Sequence, residues 1–246
     1  MLLYKNRILE ELGDIQATYD HLVASEPLIV DKLSLREKKV ELLLKLGRNA
    51  EAEVVCKELL SINSENYNYH NTLLLSRGCD VNTTLPDSMQ DSLLELYSKL
   101  LDLEPRSNAL KRVPLNFLTG DRFKKHFEGY VTPPLRKGVP SLFTDLKPLY
   151  KDEKKTALME EVMLNFHKSL TAEQQLPSVG KAEVPVTLLW VLVYLAQHYD
   201  RKGNHVKALE YIDDAIKCVL PPLLAYSLCC LAFCSCLLCS LALFFE

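Results

Sequence analysis

Two stretches near the start of the chain share one arrangement of apolar and polar positions. "ILEELGDIQATYDHL" and "ELLLKLGRNAEAEVV" each run an apolar helix end into Leu-Gly, then a polar start, then a second apolar-periodic segment. Gly13 and Gly47 are 34 residues apart. A third instance, "YLAQHYDRKGNHVKALEYIDDAI", places Ala196, Tyr199, Gly203, Ala208 and Ala215 at matching small and aromatic positions. Small residues let two helices approach closely, and a glycine supplies the turn between them. Asp14, Asn49 and Asn204 follow the turn glycines and are expected to cap the next helix. The periodicity predicts that Leu43, Leu46, Ala52, Tyr199, Ala208 and Ala215 are buried.

A 34-residue period of helix pairs is the signature of tetratricopeptide repeats. The predicted fold is therefore all-α, a tetratricopeptide-like helical-hairpin solenoid over residues 1–217. The pattern is looser in the middle. "SLLELYSKLLDLEP" reads as a repeat helix ending at Pro105, after a connection longer than an ordinary turn. "VPLNFLTGDRFKKHFEGY" predicts two short helices around Thr119 and Gly120, and Pro133, Pro134 and Pro140 argue against a continuous helix through 131–140. Residues 141–150 and 151–170 read as another pair, the second with a broad apolar surface of Ala157, Leu158, Val162, Met163, Leu164 and Phe166. Residues 172–186, with Pro177, Gly180 and Pro185 and no periodicity, are expected to be a mobile linker.

The pattern changes abruptly after Lys217. Residues 218–245 contain no charge, hold six of the eight cysteines, and are followed only by Glu246. Such a run exceeds the ~20 residues that span a bilayer. Two readings stand open: a C-terminal membrane anchor, or sequence foreign to the repeat array, such as translated non-coding sequence. Pro221 and Pro222 should interrupt the preceding helix, and the remainder should form an apolar helix that leaves the array incomplete. Deleting Val219–Glu246 is then expected to raise soluble yield without changing the body. Cys229, Cys230, Cys234, Cys236 and Cys239 have metal-like spacings, but they sit among Leu and Phe instead of in polar turns.

The net charge of −3, from 29 basic and 32 acidic residues, implies no specific DNA binding. Outside the tail only Cys56 and Cys79 occur, and the N-terminus meets Lys5 and Arg7 at once. Both features predict a reduced, cytoplasmic protein, with membrane contact only through 218–246. No phosphate loop, nucleophile elbow or acetyl-CoA loop of the form Arg/Gln-x-x-Gly-x-Gly/Ala is found. His198 and His205 straddle a turn, which reads as solvated and not as a metal pair. No catalytic, cofactor-binding or metal-binding residue is therefore assigned. In "LREKKVELLLK", Arg36, Glu37, Lys38 and Lys39 read as a solvated face over Leu35, Leu42, Leu43 and Leu46. In "RFKKHF", Phe123 and Phe127 should turn inward while Arg122, Lys124 and Lys125 face water.

Three segments, "ALKRVPLNFLTGDRFKK", "PLYKDEKK" and above all "TLLWVLVYLAQHYDRKGNHVKALEYIDDAI", closely resemble the large auxiliary subunit of the N-terminal acetyltransferase A complex. The resemblance runs from about Leu3 to Ile216. It implies a non-catalytic helical-repeat scaffold that wraps a separate catalytic acetyltransferase subunit and helps anchor it at the ribosome. It also implies that the complex moves acetyl from acetyl-CoA to nascent N-termini, with the scaffold shaping the catalytic site for small first residues. Family members are several times longer. The helices that mainly grip the catalytic subunit, and the family's inositol-phosphate site, lie downstream of the matching region, so no residue is carried over. The alternative is a general peptide-binding adaptor, tail-anchored in a membrane. An adaptor that clamps carboxylates repeats Lys, Arg and Asn along its inner helices; Lys5 and Asn6 fit, but the next repeat has no matching set.

Overall fold

The computed structural model describes residues 2–79, 85–177 and 183–219. They form thirteen α-helices and two 3-10 turns, with no strand among the described residues. The chain divides into two compact units, Met1–His126 and Phe127–Glu246.

In the first unit α1 (Leu2–Glu11) pairs with α2 (Ile15–Ser25), and α3 (Lys32–Lys45) with α4 (Asn49–Ile62). Then come α5 (Tyr67–Ser76), α6 (Asp87–Leu103), α7 (Asn108–Arg112), α8 (Pro114–Phe117) and α9 (Gly120–Lys137), inside which the division falls. The core is aliphatic: Leu22, Leu35, Leu42, Leu43, Ala52, Leu59 and Leu73 are all sealed from solvent. Deeper along the unit a buried amide, Gln90, accepts from the Thr119 amide at 3.0 Å and donates to the Leu85 carbonyl at 2.9 Å. It thereby ties α6 to the entry of α9.

The second unit continues with α10 (Leu142–Leu146), a 3-10 turn (Lys147–Lys151), α11 (Glu153–Glu173), α12 (Pro185–Arg201) and α13 (His205–Val219). The helix expected over 141–150 is thus broken into a short helix and a tighter turn around Pro148, which has no amide hydrogen to give. On α11 the buried stripe is Met159, Val162, Met163, Phe166 and Leu170. It is narrower than the expected surface, since Ala157 is exposed and Leu158 and Leu164 are half-buried.

The predicted hairpin turns are present. Gly47 and Gly203 both have positive φ, +69° and +76°. Each is followed by the same pair of bonds: Arg48 N–H to Leu43 and Gly47 N–H to Leu44, then Asn204 N–H to Tyr199 and Gly203 N–H to Asp200. This double bond pattern closes a helix with a left-handed residue, a conformation that costs any residue with a Cβ. Two caps hold as expected: Asp14 accepts from Ala17 N–H at 2.9 Å, and Asn204 from Lys207 N–H at 3.2 Å. Asn49 does not cap. The capping position is the residue right after the glycine, here Arg48, whose guanidinium grips Glu51 through two 2.7 Å bonds instead.

Five of the six residues predicted to be buried are so; Leu46, at the very end of α3, is only partly covered. The prolines at 133 and 134 do not stop α9, which is a long helix and not a short one. Its residues Phe123, Phe127, Val131 and Leu135, spaced by four, are all buried, and that continuous apolar stripe outweighs two missing backbone bonds. The helix ends three residues later at Gly138, whose own turn repeats the Gly47 pattern. At the other predicted break, α11 runs through Glu173 and α12 starts at Pro185; Leu176 between them is buried, and residues 178–182 lie outside the described residues. The tail reading on 220–246, with its prolines and five cysteines, also lies outside them.

Candidate functional site

On α3 the cations predicted to form a solvated face are mostly engaged. Lys38 and Lys45 both clasp Glu10 of α1, Lys39 lies 3.6 Å from Glu26, and Arg36 reaches Glu58 of α4 at 3.3 Å. Hydrogen bonds from Lys38 and Lys45 hold the Glu10 carboxyl down at about 2. The α3 cations therefore sit at helix seams, where the sequence placed them in open water. "RFKKHF" follows expectation in its aromatics: Phe123 and Phe127 are buried, and Arg122 pairs with Asp91 at 2.6 Å.

An open groove of ≈ 480 Å³ lies among α4, α5 and α6, lined by Asn49, Glu53, Ser76, Arg77, Ser88 and Ser92 among others. Its cation is committed: Arg77 makes a two-pronged contact to Glu53 at 2.7 and 3.1 Å and touches Ser92 at 3.3 Å. Lys5 is exposed, but Asn6 is buried and turned onto His21 of α2. The two residues that suggested a carboxylate clamp therefore do not share a surface.

In the second unit the "YLAQHYD" stretch of α12 builds a buried polar network. Tyr150 OH lies 2.8 Å from His198 Nδ1 and 3.4 Å from Tyr194 OH. Glu160 of α11 accepts from Tyr199 OH at 2.7 Å and from Lys202 at 2.6 Å, and lies 3.3 Å from His198 Nε2. Burial opposes ionisation of Glu160, but the bonds from Lys202, Tyr199 and His198 outweigh it and hold the carboxyl at about 2. Burial pushes His198 down, so it stays neutral, and it is wholly inside and not at a solvated turn. His205 faces water beside Asp200, so the two histidines never converge. Burial raises the Cys56 thiol to about 12 and Cys79 also upward, which leaves both as packing groups. Among the described residues no three His, Cys, Asp or Glu side chains gather as for a metal, and no helix is long and apolar enough to cross a membrane.

Sequence reasoning missed one close contact. Gly138 faces the Trp190 indole, and a Cβ built there would sit 2.3 Å from Nε1. The signal was available in "LRKGV", basic residues in a last turn followed by glycine.

Helical hairpins closed by glycine turns, with their titratable side chains spent on holding helices together, define a repeat scaffold of the tetratricopeptide-like class. The chain belongs to the auxiliary-subunit family of N-terminal acetyltransferase A, whose family model matches residues 1–228. It is 42% identical over 217 residues to the Arabidopsis thaliana N-terminal acetyltransferase A complex auxiliary subunit NAA15, covering 88% of this chain and 24% of that protein. It is 37% identical over 218 residues to the Mus musculus N-alpha-acetyltransferase 16, NatA auxiliary subunit, again over 88% of this chain and 24% of that one. A solved structure of Naa15/Naa10 bound to HypK-THB matches with a TM-score of 0.73 at 31% identity, over 88% of this chain and 31% of that chain. The chain thus spans about a quarter of the length of the curated relatives it matches.

Proposed function

We propose that the chain is a partial, non-catalytic scaffold subunit of an N-terminal acetyltransferase A complex, working in the cytoplasm in co-translational N-terminal acetylation. It contributes repeat surface that helps hold a catalytic acetyltransferase subunit at the ribosome. Residues 1–217 form the working repeat segment, and 172–186 join its last hairpin. The observation that carries this reading is the 42% identity over 217 residues to a protein named as the auxiliary subunit. The solved Naa15 chain, named in complex with Naa10, supports it at the level of fold. The peptide-adaptor alternative loses its main support because Asn6 is buried against α2.

The test mixes the purified chain with a catalytic N-terminal acetyltransferase subunit and, separately, with ribosomes. Peptide acetylation, complex mass and ribosome co-sedimentation are then measured. The chain alone should transfer no acetyl group. It should sediment with ribosomes at low salt and add only weakly to the catalytic subunit, whose main grip is expected downstream. Acetyl transfer by the chain alone, or association with neither partner, rejects the reading.

A further inference from the structure

Ser92 is exposed in the groove among α4, α5 and α6, on the second turn of α6. Arg77, at the end of α5, donates from Nη1 to its Oγ at 3.3 Å. A serine oxygen that solvent reaches is thus already set against a guanidinium. The groove has room beside it, ≈ 480 Å³, and Asn49 of α4, which does not cap its helix, lines the same space.

The surrounding charges are arranged so that Arg77 can change partners. Asp91, next to Ser92, is held by Arg122 at 2.6 Å, and Glu95, one turn on, by Lys99 at 2.7 Å. Each of these acids has a cation of its own. Arg77 lies with its fork on Glu53, at 2.7 and 3.1 Å. Glu53 also holds a second cation, Lys57, at 2.7 Å. Arg77 can therefore leave Glu53 without stranding a partly buried carboxylate. The sequence around the serine, "PDSMQDSLLE", places Asp91 just before it and Glu95 three residues after. A kinase with a basic substrate groove selects such a run by charge complementarity. Helix α6 begins after Pro86 with no side-chain cap, so its first turns can open onto an active site.

We propose that Ser92 is a phosphorylation site whose phosphoryl group is received by Arg77, the reagents being an acid-directed serine kinase and a nucleoside triphosphate. In that step the serine oxygen forms a bond to the γ-phosphorus. The bond from that phosphorus to the bridging oxygen breaks, and a nucleoside diphosphate and the hydroxyl proton leave. The product carries a charge of about −1.5 to −2 at pH 7 and three acceptor oxygens. It draws the Arg77 fork from the singly charged Glu53, because charge-assisted bonds to a planar guanidinium strengthen with the charge of the acceptor. Arg77 then ties α5 to α6 instead of to α4, and Glu53 stays with Lys57.

The test treats the full chain with an acid-directed serine kinase and magnesium ATP. Tandem mass spectrometry should find the phosphoryl group on Ser92. Ser92→Ala should remove it, and Ser88→Ala, in the same groove, should leave it. Phosphorus NMR then follows the second ionisation of the phosphoserine, which ordinarily falls at about 6. Beside Arg77 its midpoint should lie lower by about 0.5 in pH or more, and Arg77→Gln should return it to the ordinary value. Arg77→Lys keeps the charge without the fork and should fall between the two; it serves should Arg77→Gln loosen α5, and circular dichroism reports that each variant is folded. A chain left unmodified at Ser92, or modified at Ser88 in its place, overturns the proposal. So does a phosphoserine that titrates at the same pH in the unaltered chain and in both Arg77 variants, since a serine on open surface would do the same.

Discussion

The α3–α4 and α12–α13 hairpins share a turn and differ in what fills them. Gly47 and Gly203 close their helices with the same pair of backbone bonds, and Ala52 and Ala208 allow the same close approach. Inside, α3 and α4 meet through Leu35, Leu42, Leu43, Leu59 and Leu60, and their charges sit at the rim around Glu10. On α12, Tyr194, His198 and Tyr199 take the interior, tied to Tyr150 and Glu160. One repeat geometry thus tolerates an aliphatic filling or a hydrogen-bonded aromatic one, because the backbone turn and the small residues set the spacing. An aliphatic filling depends on shape, whereas the polar network depends on every partner being present.

The largest effects should come where shape is lost. Leu43→Ala leaves a cavity in a fully sealed site and should cost about 2–5 kcal/mol, read by chemical denaturation of the first unit. Gly138→Ala should be comparable in the second unit: about 1–2 kcal/mol for the left-handed backbone, and about 1–3 kcal/mol more for displacing Trp190. Gly203→Ala meets nothing within 4 Å, so only the backbone part should appear. Equal costs at 138 and 203 would mean that the Trp190 contact carries no weight.

Next comes the polar network. Glu160→Gln removes the charge that Tyr199 and Lys202 donate to and should cost about 1.5–3 kcal/mol. Its pH signature has a definite sign. The folded-state value near 2 lies below the ordinary carboxylate value of 4.5, so the unfolded chain takes up the proton first as pH falls. The stability from Glu160 is complete above about 4.5 and is lost toward 2. His198 works in the same direction from 6.5 downward, because burial disfavours its charged form. Urea titrations between pH 7 and 3 should show the Glu160→Gln variant losing less stability than the unaltered chain below pH 4.5.

How far the sequence announced these features follows from their range. The glycine turns were legible because a left-handed residue after an apolar helix end leaves a local mark, and the 34-residue spacing confirmed it. The cap at Arg48 was misplaced by one residue, since Asn49 is the better capping type but stands one position too late. The run through Pro133 and Pro134 was hidden because its cause is tertiary: four residues on one face find a core that no local rule describes. The same holds for "YLAQHYD". Its residues were singled out by resemblance, but the partners that give them work, Tyr150 and Glu160, lie 48 and 38 residues away from His198. The Glu10 clasp was likewise invisible, since Lys38 and Lys45 are ordinary surface residues until α1 is placed beside them.

That clasp offers the smallest effect and the sharpest contrast with Glu160. Both carboxyls are held near 2 and both side chains are about a fifth exposed, yet the two donors on Glu10 are lysines that reach water, so ions can screen those pairs. An ion pair of that kind contributes about 0.2–1 kcal/mol at low salt. Glu10→Gln should therefore cost less than Glu160→Gln, and most of its cost should vanish in 1 M salt, where the screening length falls to about 3 Å. The Glu160 cost should persist there, because its donor Tyr199 and the neighbouring His198 are both buried away from the ions of the solution. Denaturation of both variants at low and high salt gives the comparison directly. If Glu160→Gln proved as salt-sensitive as Glu10→Gln, the α12 network would be a surface arrangement like that on α3, and the two hairpins would differ in composition alone.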